Sequence, residues 1–394
     1  MKHIFFFLLI PLIFTYSQEN TMHKTDSLLS EIKLRYAPDK RVALFNVTLS
    51  DSTGELIARG ETNLPEAKAE LLKKLKSNSI IFKDSIKLLP DESLKGLTKG
   101  IINLSVANLR TKPGHSEEMA TQALLGTVVN VLKKHRGYYL VQTPDNYIAY
   151  VDDEGVEGVT PEKADEWINS QKIIYTHVYG VAYEGPSDNS PTVSDLVIGN
   201  ILRLEESPLH KGLFFKVSFP DGRIAYVKKA EAQVFADWLK NVNPTPENIL
   251  TTARLFMGVP YLWGGTSSKG LDCSGFTKTV YFLNGIILER DASQQVNNGD
   301  FVVEGVDVAK LQPGDLLFFG SRATEERKER ITHVAIYIGN SEYIHASGRV
   351  KINSLDPAAG NFAKHRYETL IRAKRVLSSL SKNRIQLIKE NKSY

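Results

Sequence analysis

The sequence has 394 residues, of which 42% are hydrophobic and 24% are charged, and its formal net charge is +4. This length exceeds one typical domain and predicts two to four domains. A net charge this small, without a basic stretch that contains interleaved aromatic residues, gives no reason to expect a nucleic-acid partner.

The N-terminal residues have the pattern of an export signal. A basic residue, Lys2, precedes an apolar run over residues 4–14, and Ser17 follows at a position suited to signal peptidase. The run is shorter than the roughly 20 residues that a membrane-spanning helix needs. We therefore predict a signal peptide over residues 1–17 and an exported protein, periplasmic or secreted, that is monomeric and has no stable membrane span. A buried core segment is the alternative.

The sequence contains a single cysteine, Cys273. It cannot form a disulfide within the chain, although an exported protein is exposed to oxidising conditions. The count alone leaves two alternatives open, a buried inert residue and a nucleophile.

Residues 18–100 read as a small mixed α+β segment. Alternating patterns over residues 41–49 and 55–59 predict a hairpin. Helical spacing over residues 65–75 predicts a helix, for which Asn63 is a candidate cap.

The next part of the chain contains an internal repeat. The tetrapeptide Ile-Ala-Tyr-Val occurs at residues 148–151 and again at 224–227. Each copy follows a turn and precedes a predicted short helix with a tryptophan, Trp167 or Trp238. Short alternating strands with frequent turns predict two small β-barrels that arose by duplication.

The first repeat, residues 101–170, resembles bacterial SH3-like domains, because residues 106–113 match their opening strand and turn. The second repeat, residues 171–243, lacks that opening motif. A boundary rich in proline follows, and Thr245 is a candidate cap for the first helix of the C-terminal domain. We assign residues 244–378 to that domain and residues 379–394 to a basic C-terminal tail.

The single cysteine lies where a helix is predicted to begin. Asp272 is a suitable N-cap, which places Cys273 in the first helical turn, and Gly285 is a suitable C-terminal residue. Unpaired backbone N–H groups and the helix dipole favour an anion at this end. We therefore expect the pKa of the thiol to be lowered.

Two histidines follow on predicted neighbouring strands. Residues 315–320, 332–339 and 343–346 read as three successive strands, which contain His333 and His345. A cross-strand pair can place one imidazole against the other. One imidazole would then accept the thiol proton, and the other would fix its tautomer. The alternative for either histidine is a satisfied residue within a sheet.

Five ordered motifs over residues 244–376 resemble the NlpC family of papain-like cell-wall cysteine peptidases, also called the "p-sixty" family. In chain order they are Pro-Tyr-Leu-Trp-Gly-Gly at 260–265, Asp-Cys-Ser-Gly-Phe at 272–276, Arg-Asp-Ala-Ser-Gln-Gln at 290–295, Leu-Gln-Pro-Gly-Asp-Leu at 311–316 and His-Val-Ala-Ile-Tyr at 333–337. Together with two SH3-like domains they resemble the subgroup that cleaves γ-D-glutamyl bonds of peptidoglycan stem peptides with a free N-terminal L-alanine.

This resemblance implies a role for individual residues. Cys273 would be the nucleophile, His333 the base and His345 the residue that orients the base. The implied oxyanion and substrate contacts are Tyr261 beside the oxyanion site, Trp263 among the oxyanion or substrate contacts, Asp272 and Ser274 beside the nucleophile, Asp291 and Ser293 at the D-glutamate, and Glu118 and Tyr147 (with Tyr150 as the alternative) at the L-alanine ammonium. Glu118 and Asp272 are expected to enclose that ammonium, because a buried cation needs carboxylate partners.

The sequence thus predicts an α+β protein, in which a small N-terminal α+β segment and two SH3-like β-barrels precede a papain-like cysteine peptidase domain. The expected reaction is hydrolysis of the bond from γ-D-Glu to a diamino acid, in stem peptides or their fragments, through a thioester on Cys273. No cofactor or metal is expected, since no cluster has metal-ligand spacing. A thiol acyltransferase and a wall-binding protein with SH3-like tethers are the alternatives.

Overall fold

The computed structural model describes residues 24–52, 55–205 and 212–394. The chain forms two compact units, of which the first ends at Leu94 and the second begins at Lys95. Within the described ranges no helix combines the length and the apolar character that a membrane crossing needs. The predicted signal peptide lies outside the described residues.

The first unit is a three-stranded sheet with helices. Its elements are α1 (24–36), β1 (Phe45–Ser52), β2 (Glu55–Thr62), α2 (Pro65–Ser77) and β3 (Phe82–Leu88). β1 and β2 form an antiparallel hairpin, and β3 lies parallel to β2 after the α2 crossover. The apolar face of α2, with Leu71 and Leu75 fully buried, packs in a core with Phe45 and Val47 of β1. The predicted hairpin and helix are confirmed.

The predicted cap of α2 is wrong. Leu64 occupies the N-cap position and makes no side-chain capping bond. The Asn63 side chain instead accepts a hydrogen bond from the backbone N–H of Leu44 at 2.8 Å. The asparagine therefore connects the start of the helix to the hairpin rather than closing its first turn.

The second unit begins with two sheets of seven strands. The first contains β4 (Lys99–Ile102), β5 (Val106–Arg110), β6 (Met119–Leu124), β7 (Val128–His135), β8 (Tyr138–Gln142), β9 (Ile148–Asp152) and β10 (Val156–Val159). The second contains β11 (Lys172–Tyr175), β12 (Tyr179–Tyr183), β13 (Thr192–Val197), β14 (Ile201–Leu204), β15 (Phe214–Ser218), β16 (Ile224–Lys228) and β17 (Ala232–Val234). The strand orders are β10-β4-β7-β8-β9-β5-β6 and β17-β11-β14-β15-β16-β12-β13. The repeats therefore share one topology, as a duplication predicts.

Each sheet is followed by the short tryptophan-containing helix that the sequence predicts. These helices are α3 (Pro161–Asn169) and α4 (Phe235–Asn241). The indole N–H of Trp167 donates to the carbonyl oxygen of Gly126 at 3.1 Å, which fixes α3 against its own barrel. Strand β4 begins at Lys99, so the first barrel starts slightly before the predicted residue 101.

In the C-terminal domain, helices pack against a six-stranded antiparallel sheet of order β21-β26-β22-β23-β24-β25. Its strands are β18 (Thr266–Ser267), β19 (Gly270–Leu271), β20 (Ile286–Ile287), β21 (Asp300–Glu304), β22 (Leu316–Ser321), β23 (Arg330–Gly339), β24 (Glu342–Ser347), β25 (Arg349–Ser354), β26 (Leu370–Arg375) and β27 (Gln386–Leu387). Its helices are α5 (Pro246–Leu255), α6 (Cys273–Phe282), α7 (Ala292–Gln295) and α8 (Lys364–Thr369). Thr245 caps α5 as predicted, by accepting from the N–H of Asn248. Phe256 and Phe276 pack edge to face in the core between α6 and the sheet.

Residues 379–394 are part of this domain rather than a tail. β27 pairs antiparallel with β20. Ile385 and Ile388 are buried. The segment closes the end of the domain near the C-terminus of α6, because the backbone N–H of Ile388 donates to the carbonyl oxygen of Gly285.

Both barrels hold the β18–β19 hairpin, which leads directly into α6. The side-chain oxygen of Gln122 in the first barrel accepts from the backbone N–H of Thr266 at 2.9 Å. The ammonium of Lys269 pairs with Asp195 of the second barrel at 2.6 Å. The strand before the cysteine is thus fixed from two sides.

Candidate active site

Cys273 is the first residue of α6, as the sequence predicts. The Asp272 carboxylate caps the helix by accepting from the backbone N–H of Gly275 at 2.7 Å. The thiol is buried between α6 and β23, where the backbone N–H of Val334 favours its anionic form. The nucleophile candidate therefore lies next to the strand residue that follows His333.

The thiol is less acidic than its position at the helix start suggests. Burial, followed by the nearby Asp272 charge, raises the pKa of Cys273 to about 11. The N–H groups of Val334 and Ser274 and the Arg290 charge act in the opposite direction but do not outweigh burial. The expected lowering of this pKa is wrong for the resting site, because desolvation of the anion dominates.

His333 and His345 form the predicted pair on neighbouring strands. Nε2 of His333 lies 2.8 Å from Nδ1 of His345, and their rings are perpendicular. Nε2 of His345 lies 2.9 Å from the side-chain oxygen of Asn353, whose amide nitrogen donates to the backbone carbonyl of Asn361. Since that amide orientation makes the Asn353 oxygen an acceptor, His345 donates from Nε2 and accepts at Nδ1. His333 then donates from Nε2, and its Nδ1 is left with a lone pair.

His333 is neutral at physiological pH. Burial lowers the pKa of its imidazole well below 6.5, and the charges of Arg366 and His345 lower it further. A neutral imidazole with its lone pair on Nδ1 is the form that accepts a proton from a thiol.

The Asp272 carboxylate is already paired. The guanidinium of Arg290 approaches both of its oxygens, at 3.2 Å and 2.5 Å, and the backbone N–H groups of Gly264 and Gly275 donate to them as well. Asp272 thus fixes the helix start and pairs with Arg290. Its expected role beside a substrate ammonium stays a prediction.

Arg290 connects the nucleophile's neighbours to the first barrel. It is almost fully buried, donates to the hydroxyl of Ser274 at 3.0 Å and donates to the hydroxyl of Thr121 in β6 at 2.9 Å. Sequence reasoning included Arg290 in a motif but gave it no role. An arginine beside a buried N-cap acid is the signal that could have identified it, because a buried charge requires a partner.

Two contacts bring the first barrel to the site. The hydroxyl of Tyr147 donates to the Asp291 carboxylate at 3.3 Å, and the indole N–H of Trp263 donates to Glu118 at 2.9 Å. The alternative tyrosine, Tyr150, pairs within the barrel sheet. Tyr147 thus contacts Asp291, and Glu118 contacts Trp263, each across the boundary of the two domains.

The remaining predicted residues lie at the edges of this arrangement. Tyr261 forms a backbone bridge with Leu271, and burial, followed by the charges of Cys273 and Asp272, raises the pKa of its hydroxyl. Ser293 is exposed in the single turn of α7, directly after Asp291 and Ala292.

Comparison with known proteins gives the same assignment. Residues 258–371 match the NlpC/P60 family and residues 109–156 match the bacterial dipeptidyl-peptidase SH3 domain. A gamma-D-glutamyl-L-lysine dipeptidyl-peptidase of Bacillus cereus is 32% identical over 59% of this chain and 68% of its own. Dipeptidyl-peptidase 6 of Lysinibacillus sphaericus is 29% identical over 65% of this chain and 91% of its own.

Solved structures agree with the fold. The crystal structure of an NlpC/P60 family protein from Bacillus cereus is 25% identical and superposes with a TM-score of 0.59. That match covers 71% of this chain and the whole of the other. With a thiol at a helix start, a histidine pair on the facing strands and a first barrel of the matching SH3 type, the chain belongs to the NlpC/P60 family and is a cysteine peptidase.

Proposed function

We propose that the protein hydrolyses the bond between γ-D-glutamate and the following diamino acid in peptidoglycan stem peptides that begin with a free L-alanine. The observation that carries this proposal is the junction of the first barrel with the peptidase domain. There Glu118 and Tyr147 meet Trp263 and Asp291, beside the Cys273 helix. The name of the Bacillus cereus relative, a gamma-D-glutamyl-L-lysine dipeptidyl-peptidase, supports the same bond.

In the proposed reaction Nδ1 of His333 takes the proton of the Cys273 thiol as the sulfur attacks the γ-carbonyl carbon of D-glutamate. The tetrahedral intermediate collapses when His333 returns that proton to the leaving nitrogen, which breaks the C–N bond and leaves a thioester. Water then gives a proton to His333, and its oxygen attacks the thioester carbon. Breaking of the C–S bond releases the L-Ala-D-Glu dipeptide and restores the thiol.

The free amine would be held by acids of two domains. Glu118 and Asp291 carry the negative charges at the junction, and the Tyr147 hydroxyl adds a polar contact. Asp272, the other acid expected beside the amine, and Asp291 both pair with Arg290, so Glu118 is the acid of this set without that partner. An ammonium enclosed there needs carboxylate partners to offset its desolvation. A longer chain at the same place would meet the barrel.

We also propose that the protein works outside the cytoplasm. The basic residue at position 2 and the apolar run over residues 4–14 have the pattern of an export signal. Peptidoglycan stem peptides occur in the wall, where an exported peptidase would meet them.

The proposal is tested with L-Ala-γ-D-Glu-L-Lys and the same peptide acetylated on its amine, with products identified by mass spectrometry. We expect the free peptide to yield L-Ala-D-Glu and lysine, and the Cys273→Ala variant to yield neither. Glu118→Gln should lower kcat/KM for the free peptide by about tenfold or more, equivalent to about 1.4 kcal/mol. It should change little for the acetylated peptide, which is already a poor substrate.

Glu117→Gln is the matched control, since Glu117 is the neighbouring barrel acid and pairs at the surface with Lys112. It should leave both rates unchanged. Equal cleavage of free and acetylated peptides would contradict the proposal for the amine. The barrels would then be tethers rather than part of the site.

A further inference from the structure

Arg366 lies beside the catalytic histidine without being assigned to the site so far. It belongs to α8, and its guanidinium carbon is 5.6 Å from the centre of the Phe319 ring. The Phe319 ring in turn lies 5.7 Å from the His333 ring. A single aromatic side chain therefore separates the guanidinium from the base.

Arg366 lacks an internal partner. It is half-buried, and among the described residues it makes no ion pair and no side-chain hydrogen bond, apart from its contact with Phe319. The other buried or half-buried arginines of the peptidase domain each pair with a carboxylate. These pairs are Arg290 with Asp272, Arg372 with Glu329 and Arg375 with Asp315.

Lys351 adds a second positive charge on the same flank. It lies opposite His345 in the pairing of β24 with β25. Its charge, like that of Arg366, lowers the pKa of both catalytic histidines, so both cations act on the site. The half-buried guanidinium of Arg366 has no acceptor among the described residues, and a bound carboxylate can accept two parallel hydrogen bonds from it.

The chemistry indicates which half of the substrate meets these cations. Thr121 and Tyr147 of the first barrel reach Arg290 and Asp291, so the amine-bearing half faces the barrel. His333 must give its proton to the leaving nitrogen, so the leaving residue lies on the side of His333. Phe319 and Arg366 lie on that side.

We propose that Arg366, assisted by Lys351, forms a subsite for a carboxylate on the residue that follows the cleaved bond. This inference rests on the proposed function and adds a requirement on the leaving group. The carboxylate has two possible sources with one chemistry, the α-carboxylate of a C-terminal diamino acid and the side-chain carboxylate of diaminopimelate.

The test compares matched peptides and variants. The lysine peptides are L-Ala-γ-D-Glu-L-Lys, its C-terminal α-carboxamide, and the same peptide amidated at the D-glutamate α-carboxylate. The diaminopimelate peptides have the α-carboxylate, the side-chain carboxylate or both of diaminopimelate amidated. Arg366→Gln should lower kcat/KM by about tenfold to a hundredfold, mainly through KM, for peptides whose leaving residue carries a carboxylate. It should leave kcat/KM unchanged for peptides whose leaving residue carries none. Arg366→Lys should recover part of the loss, since it keeps the charge without the planar fork.

Lys364→Gln is the control, because it removes the same charge from the same helix at an exposed residue. It should leave every rate unchanged. The diaminopimelate peptides show which carboxylate Arg366 binds. Only amidation of that carboxylate should abolish the effect of Arg366→Gln on kcat/KM.

Two results would overturn the subsite. One is an equal loss on acid and amide peptides, which would make Arg366 a structural residue. The other is a loss that follows amidation of the D-glutamate α-carboxylate instead. If the wild-type protein cleaves the acid and amide peptides equally well, the subsite fails while the proposed function stands. If it cleaves none of these peptides, the proposed function itself fails.

Discussion

The two reacting side chains share one desolvated environment that shifts their pKa values in opposite directions. Burial raises the pKa of Cys273 to about 11 and lowers that of His333 well below 6.5. Both shifts favour the uncharged forms, a thiol and an imidazole. We therefore expect a resting site without an ion pair, in which the proton moves to His333 only as the substrate is attacked.

This environment predicts how alkylation depends on pH. Only the thiolate reacts with iodoacetamide, and with a pKa near 11 about one thiol in ~10⁴ is ionised at pH 7. The rate should therefore keep rising from pH 6 through pH 9. Cys273 is the only cysteine, so mass spectrometry reads the modification without interference. A plateau below pH 7 would contradict the prediction and indicate a stable thiolate–imidazolium pair.

The sequence predicted Cys273, His333 and His345, because a helix-capping pattern and two successive strand patterns are local signals. It did not predict Asn353. The amide of Asn353 orients the histidines only through the pairing of β24 with β25 and a bond to the Asn361 carbonyl. Such partners depend on strand register, which local spacing does not determine.

At the scale of elements, the loop that carries Tyr147 is fixed to the catalytic helix α6. The carboxylate of Asp145 pairs with the ammonium of Lys278 at 2.7 Å, and the hydroxyl of Thr143 donates to Asp145 at 2.6 Å. Burial by itself would raise the pKa of Asp145, but Lys278 and Thr143 outweigh it and hold that pKa below its usual value. A buried ion pair thus connects the first barrel to the helix of the nucleophile.

We predict that Lys278→Met lowers the free energy of unfolding by about 3–5 kcal/mol, because it leaves the charge of the buried Asp145 carboxylate without a cation to balance it. Adding Asp145→Asn should recover much of that loss, since the unpaired charge is then gone. Guanidinium chloride denaturation measures both values. Lys240→Met, at an exposed lysine of α4, is the control and should change little. A double variant as unstable as Lys278→Met would show that the ion pair is not the cause.

The elements themselves were largely predictable, whereas their contacts were not. The repeated Ile-Ala-Tyr-Val strand predicted two barrels, and they share one topology. The predicted tail over residues 379–394 was wrong, because Ile385 and Ile388 are too sparse to form a local pattern. They become buried only against a strand about 100 residues earlier in the chain.

At the scale of the second compact unit, polar contacts join the peptidase domain to both barrels. The first barrel supplies Thr121 to Arg290 and Gln122 to Thr266, and the second supplies Asp195 to Lys269. Loss of the first barrel would leave the buried N–H of Thr266 without its acceptor, and loss of the second would do the same to the buried hydroxyl of Ser268, which donates to the Val178 carbonyl. Each costs about 1–3 kcal/mol.

We therefore predict that the barrels and the peptidase domain unfold in one transition. In differential scanning calorimetry of the protein, residues 95–394 should unfold in a single transition. Its calorimetric enthalpy should equal its van't Hoff enthalpy. Gln122→Ala, which removes the acceptor of Thr266, should shift that whole transition to lower temperature. Separate transitions for the barrels and the peptidase domain would contradict this expectation.

The meeting of Glu118 with Trp263 at the barrel has a consequence for the order of events in wall breakdown. On the proposed function, a stem peptide whose alanine is still acylated has no positive charge to offer this acid. The glycan must then be detached first, by a hydrolase of the amidase class that frees the amine. The peptidase would then act after the amidase. It would shorten released peptides and leave uncut the stem peptides that are still attached to the glycan.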